Sequence, residues 1–191
     1  MAGHDEGRAT PLPEYYTSQY CEENVWHLCQ DPAVQLEDAH VAFVSNAARA
    51  CALWMQRASP GRRAPVVWDY HVVLLGRRDG WKVWDLDSRL PCPVDAFEYL
   101  RETFPRPRAV PPPLRPRFRV VPRAAFLGAF ASDRSHMREG DDGWLAPPPS
   151  RPAIRTADET MSLMRFVDTE RPYLGELFDL AGLRSWLSSR A

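Results

Sequence analysis

The sequence carries no surplus of charge of either sign. Its formal net charge is −1 at pH 7 over 191 residues, so no field favours nucleic acid or an acidic membrane surface as a partner. It lacks any apolar run of about 18 residues, the length that a membrane-spanning helix needs. The opening residues, MAGHDEGRATPLPEYY, lack the basic and then apolar pattern of a secretory leader. No repeat and no domain boundary interrupt the chain. Cysteine is sparse, with 4 residues (Cys21, Cys29, Cys51 and Cys92) set in apolar patterns rather than in a dense framework. Reduced thiols, a cytoplasmic location with the nucleus also open to it, and a monomer are the expectations.

What is present is a core. Hydrophobic residues make up 45% of the chain, with 7 Trp, 8 Phe and 6 Tyr, enough for one domain over 14–191 behind a mobile tail at 1–13. The 19 Pro cluster in Pro91–Pro122 and Pro147–Pro152. Such runs can serve as ligands for proline-binding modules. Here arginines and aromatics interrupt each of them, which favours stiffened loops.

The central stretch is Val66–Asp87, VVWDYHVVLLGRRDGWKVWDLD. It reads as strand Val66–Leu75, turn Gly76–Gly80, and a second alternating segment, Trp81–Asp87. Period-2 alternation puts Asp69, His71, Val73 and Leu75 on one face and Trp68, Tyr70, Val72 and Leu74 on the other. If Leu75 pairs with Trp81, paired numbers sum to 156 and His71 lies opposite Asp85, with Cβ atoms about 4.5–5.5 Å apart. A three-residue loop gives 158 and places Asp87 opposite His71; a two-residue turn gives Ser88.

Before this hairpin, Cys21, Val25, Leu28 and Cys29 form a helical stripe, with Ser18 as a plausible cap and Glu22 and Glu23 in the opening turn. Cys21 then faces inward from a helix N-terminus, where the helix dipole and unpaired N–H groups favour thiolate. Cys29 and Cys51 read as packing residues. Cys21, His27 and Cys29 match no zinc spacing, and no metal or organic cofactor is expected.

Val41–Asn46 and Cys51–Gln56 read as strands, Val94–Phe104 as a helix, Phe118–Val121 as a strand and Arg123–Ala131 as a helix. Ser132–Met137 is a polar turn, and Met161–Val167 and Leu177–Leu187 are helices. One helix, a run of strands and later helices imply an α+β fold, a mainly antiparallel sheet flanked by helices. A helix-borne thiol followed by a His and an Asp on adjacent strands resembles the order of papain- and transglutaminase-like catalytic cores. Imidazole accepts the thiol proton, a carboxylate orients the ring, and N–H groups beside the cysteine hold the oxyanion.

WDYHVVLL at Trp68–Leu75 is similar to the signature of the WDYHV family, the protein N-terminal glutamine amidohydrolases. YCEENVW (Tyr20–Trp26), AFVSN (Ala42–Asn46), DLD (Asp85–Asp87) and FASDRSHM (Phe130–Met137) resemble the same family, in order from about Tyr15 to Pro149. The Pro-rich basic segment Pro105–Pro116 lies outside these motifs. The resemblance implies removal of the side-chain amide of glutamine at a free protein N-terminus, giving glutamate and ammonia within the N-degron pathway. It implies Cys21 as nucleophile, His71 as base and Asp85 as orienting carboxylate, in keeping with the 156 register.

A substrate α-ammonium needs an anionic partner, because burying it alone costs several kcal/mol. Asp69 and Asp87, opposed in the 156 register, are the candidates, and Ser45, Ser132 and Asp133 join them through their motifs alone. Two other readings use the same residues: a transglutaminase- or peptidase-like cysteine enzyme, and a binding module for protein N-termini without catalysis.

Overall fold

The structure is a computed structural model that describes residues 12–140 and 143–190. Most of the expected tail at 1–13 lies outside the described residues. Helix α1 (Cys21–Leu28) opens the fold. Strands β1 (Asp38–Ser45), β2 (Cys51–Leu53), β3 (Val66–Trp68), β4 (His71–Arg77), β5 (Trp81–Trp84) and β6 (Val94–Asp95) follow, and then α2 (Ala96–Thr103). After them come β7 (Arg117–Pro122), α3 (Arg123–Ala129), the short pair β8 (Arg138–Glu139) and β9 (Gly143–Trp144), α4 (Leu163–Val167), β10 (Glu176–Phe178) and α5 (Leu180–Ser188).

Six strands form one antiparallel sheet in the order β10-β7-β1-β4-β5-β6, flanked by helices as the element order implied. Alternation divides it between two cores. Ala42, Val44, Val73, Leu75, Val83 and Val120 face α2 and α5, through Tyr99, Leu100, Leu183 and Leu187. Val41, Phe43, Val72, Leu74 and Val121 face α1, α3 and α4, through Val25, Leu28, Phe126, Phe166 and Val167. No helix among the described residues is long and apolar enough to cross a membrane.

Four expectations are corrected. Val66–Leu75 is not one strand: the chain bends at Asp69–Tyr70, so β3 pairs with β2 in a separate ribbon while β4 enters the main sheet. Ser45 Oγ braces the bend by donating to the Asp69 carbonyl at 2.7 Å, and Tyr70 N donates to Asp69 Oδ1 at 2.9 Å. The hairpin register sums to 158, as Leu74↔Trp84 and Arg77↔Trp81 show. Asp79 and Gly80 take φ of 51° and 90°, a loop that glycine tolerates at no steric cost. Leu177–Leu187 divides into β10 and α5, because Asp179 Oδ1 accepts from Gly182 N at 2.7 Å and caps the helix there.

Ser18 is not the cap of α1; the N-cap is Tyr20, without a side-chain bond. Thr17 and Asn24 exchange two hydrogen bonds of 2.8 Å instead, closing the segment that leads into the helix.

Candidate active site

A cavity of about 260 Å³ opens where α1 meets the start of β4, lined by residues that include Cys21, Trp68, Asp69, Tyr70, His71, Asp87 and His136. Cys21 is the first residue of α1 and His71 the first of β4. The chain leaves the β2–β3 ribbon and enters the main sheet at Asp69–Tyr70, and Asp69, Tyr70 and His71 line the same cavity as Cys21.

His71 Nε2 lies 3.0 Å from Asp85 Oδ1, both side chains buried. Extended to His71, the 158 register puts Asp85 two residues from the directly opposed position, a diagonal neighbour on the same face. β5 ends at Trp84, and the turn that follows brings the carboxylate in, with Asp87 N donating to Asp85 Oδ1 at 3.0 Å. A register error of two residues left every side chain on its own face, and so the predicted contact survives the correction.

Asp85 also accepts from Tyr99 Oη at 2.8 Å and Gln56 Nε2 at 3.2 Å. Burial alone would push its carboxyl up. The charge of His71 and the bonds from His71, Gln56 and Tyr99 outweigh that and hold it below the usual range. Ionised, Asp85 only accepts, so His71 Nε2 carries the proton and Nδ1 is the basic nitrogen. For His71, burial pushes down, but Asp85, then Asp87 and Glu22, raise it above the ordinary imidazole value. Trp68 stacks on the imidazole at a centroid distance of 6.2 Å.

The helix N-terminus, which favours thiolate, is opposed at Cys21 by its surroundings. Burial pushes the Cys21 thiol well up, and Glu22, Asp87 and Asp85 push it further, while the Val72 amide offsets only part of this. Desolvation and three carboxylates outweigh a helix N-terminus, whose effect fades within a turn. The thiol S–H donates to Glu22 Oε2 at 3.7 Å.

Glu22 went unread in the sequence, where it was only one of two acids in an opening turn. It is fully buried and accepts from Tyr70 Oη at 3.1 Å. His136 Nε2 lies 3.0 Å from the same hydroxyl and 3.5 Å from Glu22 Oε1. Glu23 is paired with Arg134 through two bonds of 2.7 and 2.8 Å. Their place in YCEENVW and FASDRSHM was the only signal available.

Asp69 and Asp87 both line the cavity, but no ladder opposes them, since the strand breaks at Asp69. Tyr16 Oη donates to Asp87 Oδ1 at 2.6 Å. Burial raises the Asp87 carboxyl and Asp85 adds to this, against opposing pulls from His71, Tyr16 and Arg57. Ser45, Ser132 and Asp133 do not reach the cavity wall. Ser45 braces the Asp69 carbonyl, Ser132 N donates to Ile154 O at 2.9 Å, and Asp133 Oδ1 accepts from Ser135 N at 2.9 Å in a local turn.

Ligand atoms of His71, Asp85 and Asp87 lie within 4.8 Å of one another. A cation there would have to displace donors that these atoms already hold, from His71, Gln56, Tyr99 and Tyr16, so the arrangement reads as a hydrogen-bonded one.

A family model described as N-terminal glutamine amidase matches residues 16–186. Proteins named protein N-terminal glutamine amidohydrolase from Bos taurus and Homo sapiens are each 40% identical to the chain over 161 residues. The match covers 81% of this chain and 77% and 78% of theirs. A Danio rerio protein of the same name is 39% identical over 173 residues, 87% of this chain and 85% of its own.

Proposed function

The chain belongs to the N-terminal glutamine amidase family, and from that premise we propose that it hydrolyses the side-chain amide of glutamine at a free protein or peptide N-terminus. The observation that carries the site assignment is the buried His71–Asp85 bond of 3.0 Å beside a cavity that Cys21 also lines. At about 260 Å³ the cavity falls below the ~300–1,000 Å³ of pockets for drug-sized ligands. That volume suits one terminal residue better than a length of extended chain, which favours this reading over a peptidase.

In the proposed reaction, His71 Nδ1 takes the thiol proton as Cys21 Sγ attacks the carboxamide carbon. Asp85 holds the ring and stabilises the imidazolium. First-turn N–H groups of α1, which have no partner within the helix, are the donors available to the oxyanion. The imidazolium protonates the leaving nitrogen, ammonia departs, and a γ-glutamyl thioester remains. Water, deprotonated by His71, then releases glutamate and restores the thiol. Asp87 and Asp69 are the proposed acceptors for the α-ammonium.

Ammonia release from a Gln-initiated peptide tests the reading, with its N-acetylated form, an Asn-initiated peptide and Cys21→Ala as controls. Release from free N-terminal Gln alone, lost in the variant, is the expected result. Release from the acetylated peptide as well would make the protein a broader glutaminase or transglutaminase, and no release would make it a binding module.

A further inference from the structure

Cys21 sits among more negative charge than its reaction requires. Asp85 has a task, orienting His71. Glu22 has none in the proposed steps, yet it is fully buried, 3.7 Å from Sγ, and its Oε1 has no hydrogen-bond partner among the described residues. Asp87 and Asp69 line the same cavity. The thiol feels the charges of Glu22 from α1 and of Asp85 and Asp87 from the turn after β5, and it shares its cavity with Asp69, Tyr70, His71 and His136. Arginines lie near this ring only at its margins: Arg134 is paired with Glu23, and Arg57 is felt by Asp87.

A carboxylate beside a nucleophilic thiol opposes its deprotonation and so slows attack. The same carboxylate attracts a cation. The two effects are linked: a cation that binds more tightly to the thiolate form must, by the same factor, make the thiol easier to deprotonate.

We propose that the carboxylates around Cys21 make the substrate's α-ammonium a condition of nucleophile activation as well as of binding, so that the thiol proton moves to His71 only when a cation occupies the cavity. The ammonium, seated against Asp87 and Asp69 at the wall, offsets the anionic ring whose buried member is Glu22. Glu22 is then a positioning residue, held by Tyr70 and His136, that keeps the empty enzyme unreactive and discriminates against acetylated N-termini through kcat. This rests on the proposed reaction, but its central test does not need a substrate.

The rate at which iodoacetamide alkylates Cys21 at pH 7 is followed by mass spectrometry of the Cys21 peptide. It is measured with methylammonium chloride and, at equal ionic strength, with tetramethylammonium chloride, which has no N–H donors. An opposite charge within about 4–6 Å shifts a titrating group by about 1–3 units, so methylammonium should speed alkylation about tenfold or more. In Glu22→Gln, which keeps an oxygen for the Tyr70 hydroxyl, alkylation should already be fast without the cation and gain little from it. Its pH profile should move to lower pH. A purely structural Glu22 would leave that profile in place.

The second arm uses a Gln-initiated peptide whose α-amine is replaced by hydrogen. It should turn over slowly, and methylammonium should restore kcat. Alkylation no faster in methylammonium chloride than in sodium chloride of equal ionic strength overturns the proposal, whether or not any peptide releases ammonia. Failure of the unmodified Gln-peptide to turn over overturns the proposed reaction instead.

Discussion

Tyr99, on α2, donates its hydroxyl proton to Asp85 Oδ2 at 2.8 Å, so a helix packed on one face of the sheet anchors the carboxylate that holds His71. Tyr99 is buried and does not line the cavity. Tyr99→Phe removes the bond while keeping the ring in place. A hydrogen bond to a charged group is worth about 1.5–3 kcal/mol, and the variant should lose that much stability in thermal unfolding. Because the hydroxyl touches no substrate, kcat should fall while KM holds. A rise in KM at unchanged kcat would place Tyr99 in substrate binding instead.

The His71–Asp85 pair makes stability depend on pH in a defined window. The lowered Asp85 carboxyl contributes stability that is present above its unfolded value, near pH 3.9, and lost as pH falls through the folded value. The raised His71 contributes fully below its unfolded value, near 6.5, and that contribution is lost as pH rises through the folded value. The stability difference between wild type and His71→Ala should therefore be largest between about pH 4 and 6.5 and shrink on either side. Urea unfolding across pH 3–9 measures it. A difference that does not vary with pH would mean that the pair adds no electrostatic stabilisation.

Asp85→Asn should be the most damaging single-atom change to the pair. The amide can present N–H where His71 expects an acceptor, which selects the wrong tautomer; in a comparable triad this costs about 10⁴ in kcat. Steady-state ammonia release measures the loss. A reduction of tenfold or less would reassign the orienting role.

Much of the frame was legible because it follows from period and spacing. Val41 and Phe43 against Ala42 and Val44 divide between the two cores as alternation requires, and Cys21, Val25 and Leu28 face inward from one helix. What could not be read depends on partners far along the chain. Glu22 meets Tyr70 48 residues away, and Glu23 meets Arg134 111 residues away; no local pattern marks either glutamate as buried. The bend at Asp69 is not marked by glycine or proline within Val66–Leu75, and the side chain that braces it, Ser45, lies on another strand. The setting of Cys21 is half legible for a related reason: the helix start is visible in the sequence, whereas the carboxylates converging on the thiol are not.

Glu23 and Arg134 join α1 to the turn that carries His136, through a buried two-bond ion pair. Glu23→Gln should cost about 3–5 kcal/mol, since it strands a buried guanidinium. Arg134 would keep its bonds to the carbonyls of Pro149 and Arg151, at 3.1 and 3.0 Å, but lose its counter-charge. The double variant Glu23→Leu, Arg134→Met should recover part of the loss, because replacing both members leaves no unpaired charge. Denaturant midpoints of the three proteins decide this; a double variant less stable than Glu23→Gln would show that the carbonyl bonds, and not the charge, hold the turn.

Trp68 Nε1 donates to Gln56 Oε1 at 3.3 Å, which fixes the Gln56 amide so that its NH₂ reaches Asp85 Oδ2 at 3.2 Å. Gln56→Glu keeps the shape and reverses the sense of that contact, setting a second carboxylate beside Asp85. Two adjacent carboxylates raise one another, and the added anion raises His71 as well. In the wild type His71 must lose its Nδ1 proton before it can accept one from the thiol. The acid limb of kcat/KM should accordingly lie above the ordinary imidazole value of about 6.5. In Gln56→Glu the limb should move to still higher pH, with activity recovering towards wild type as pH rises. Gln56→Ala, which removes a donor without adding charge, should leave Asp85 less firmly held and lower kcat at every pH. A limb that stays in place in Gln56→Glu would mean that the titrating group seen in kcat/KM is not His71, and the base would then have to be sought elsewhere in the cavity.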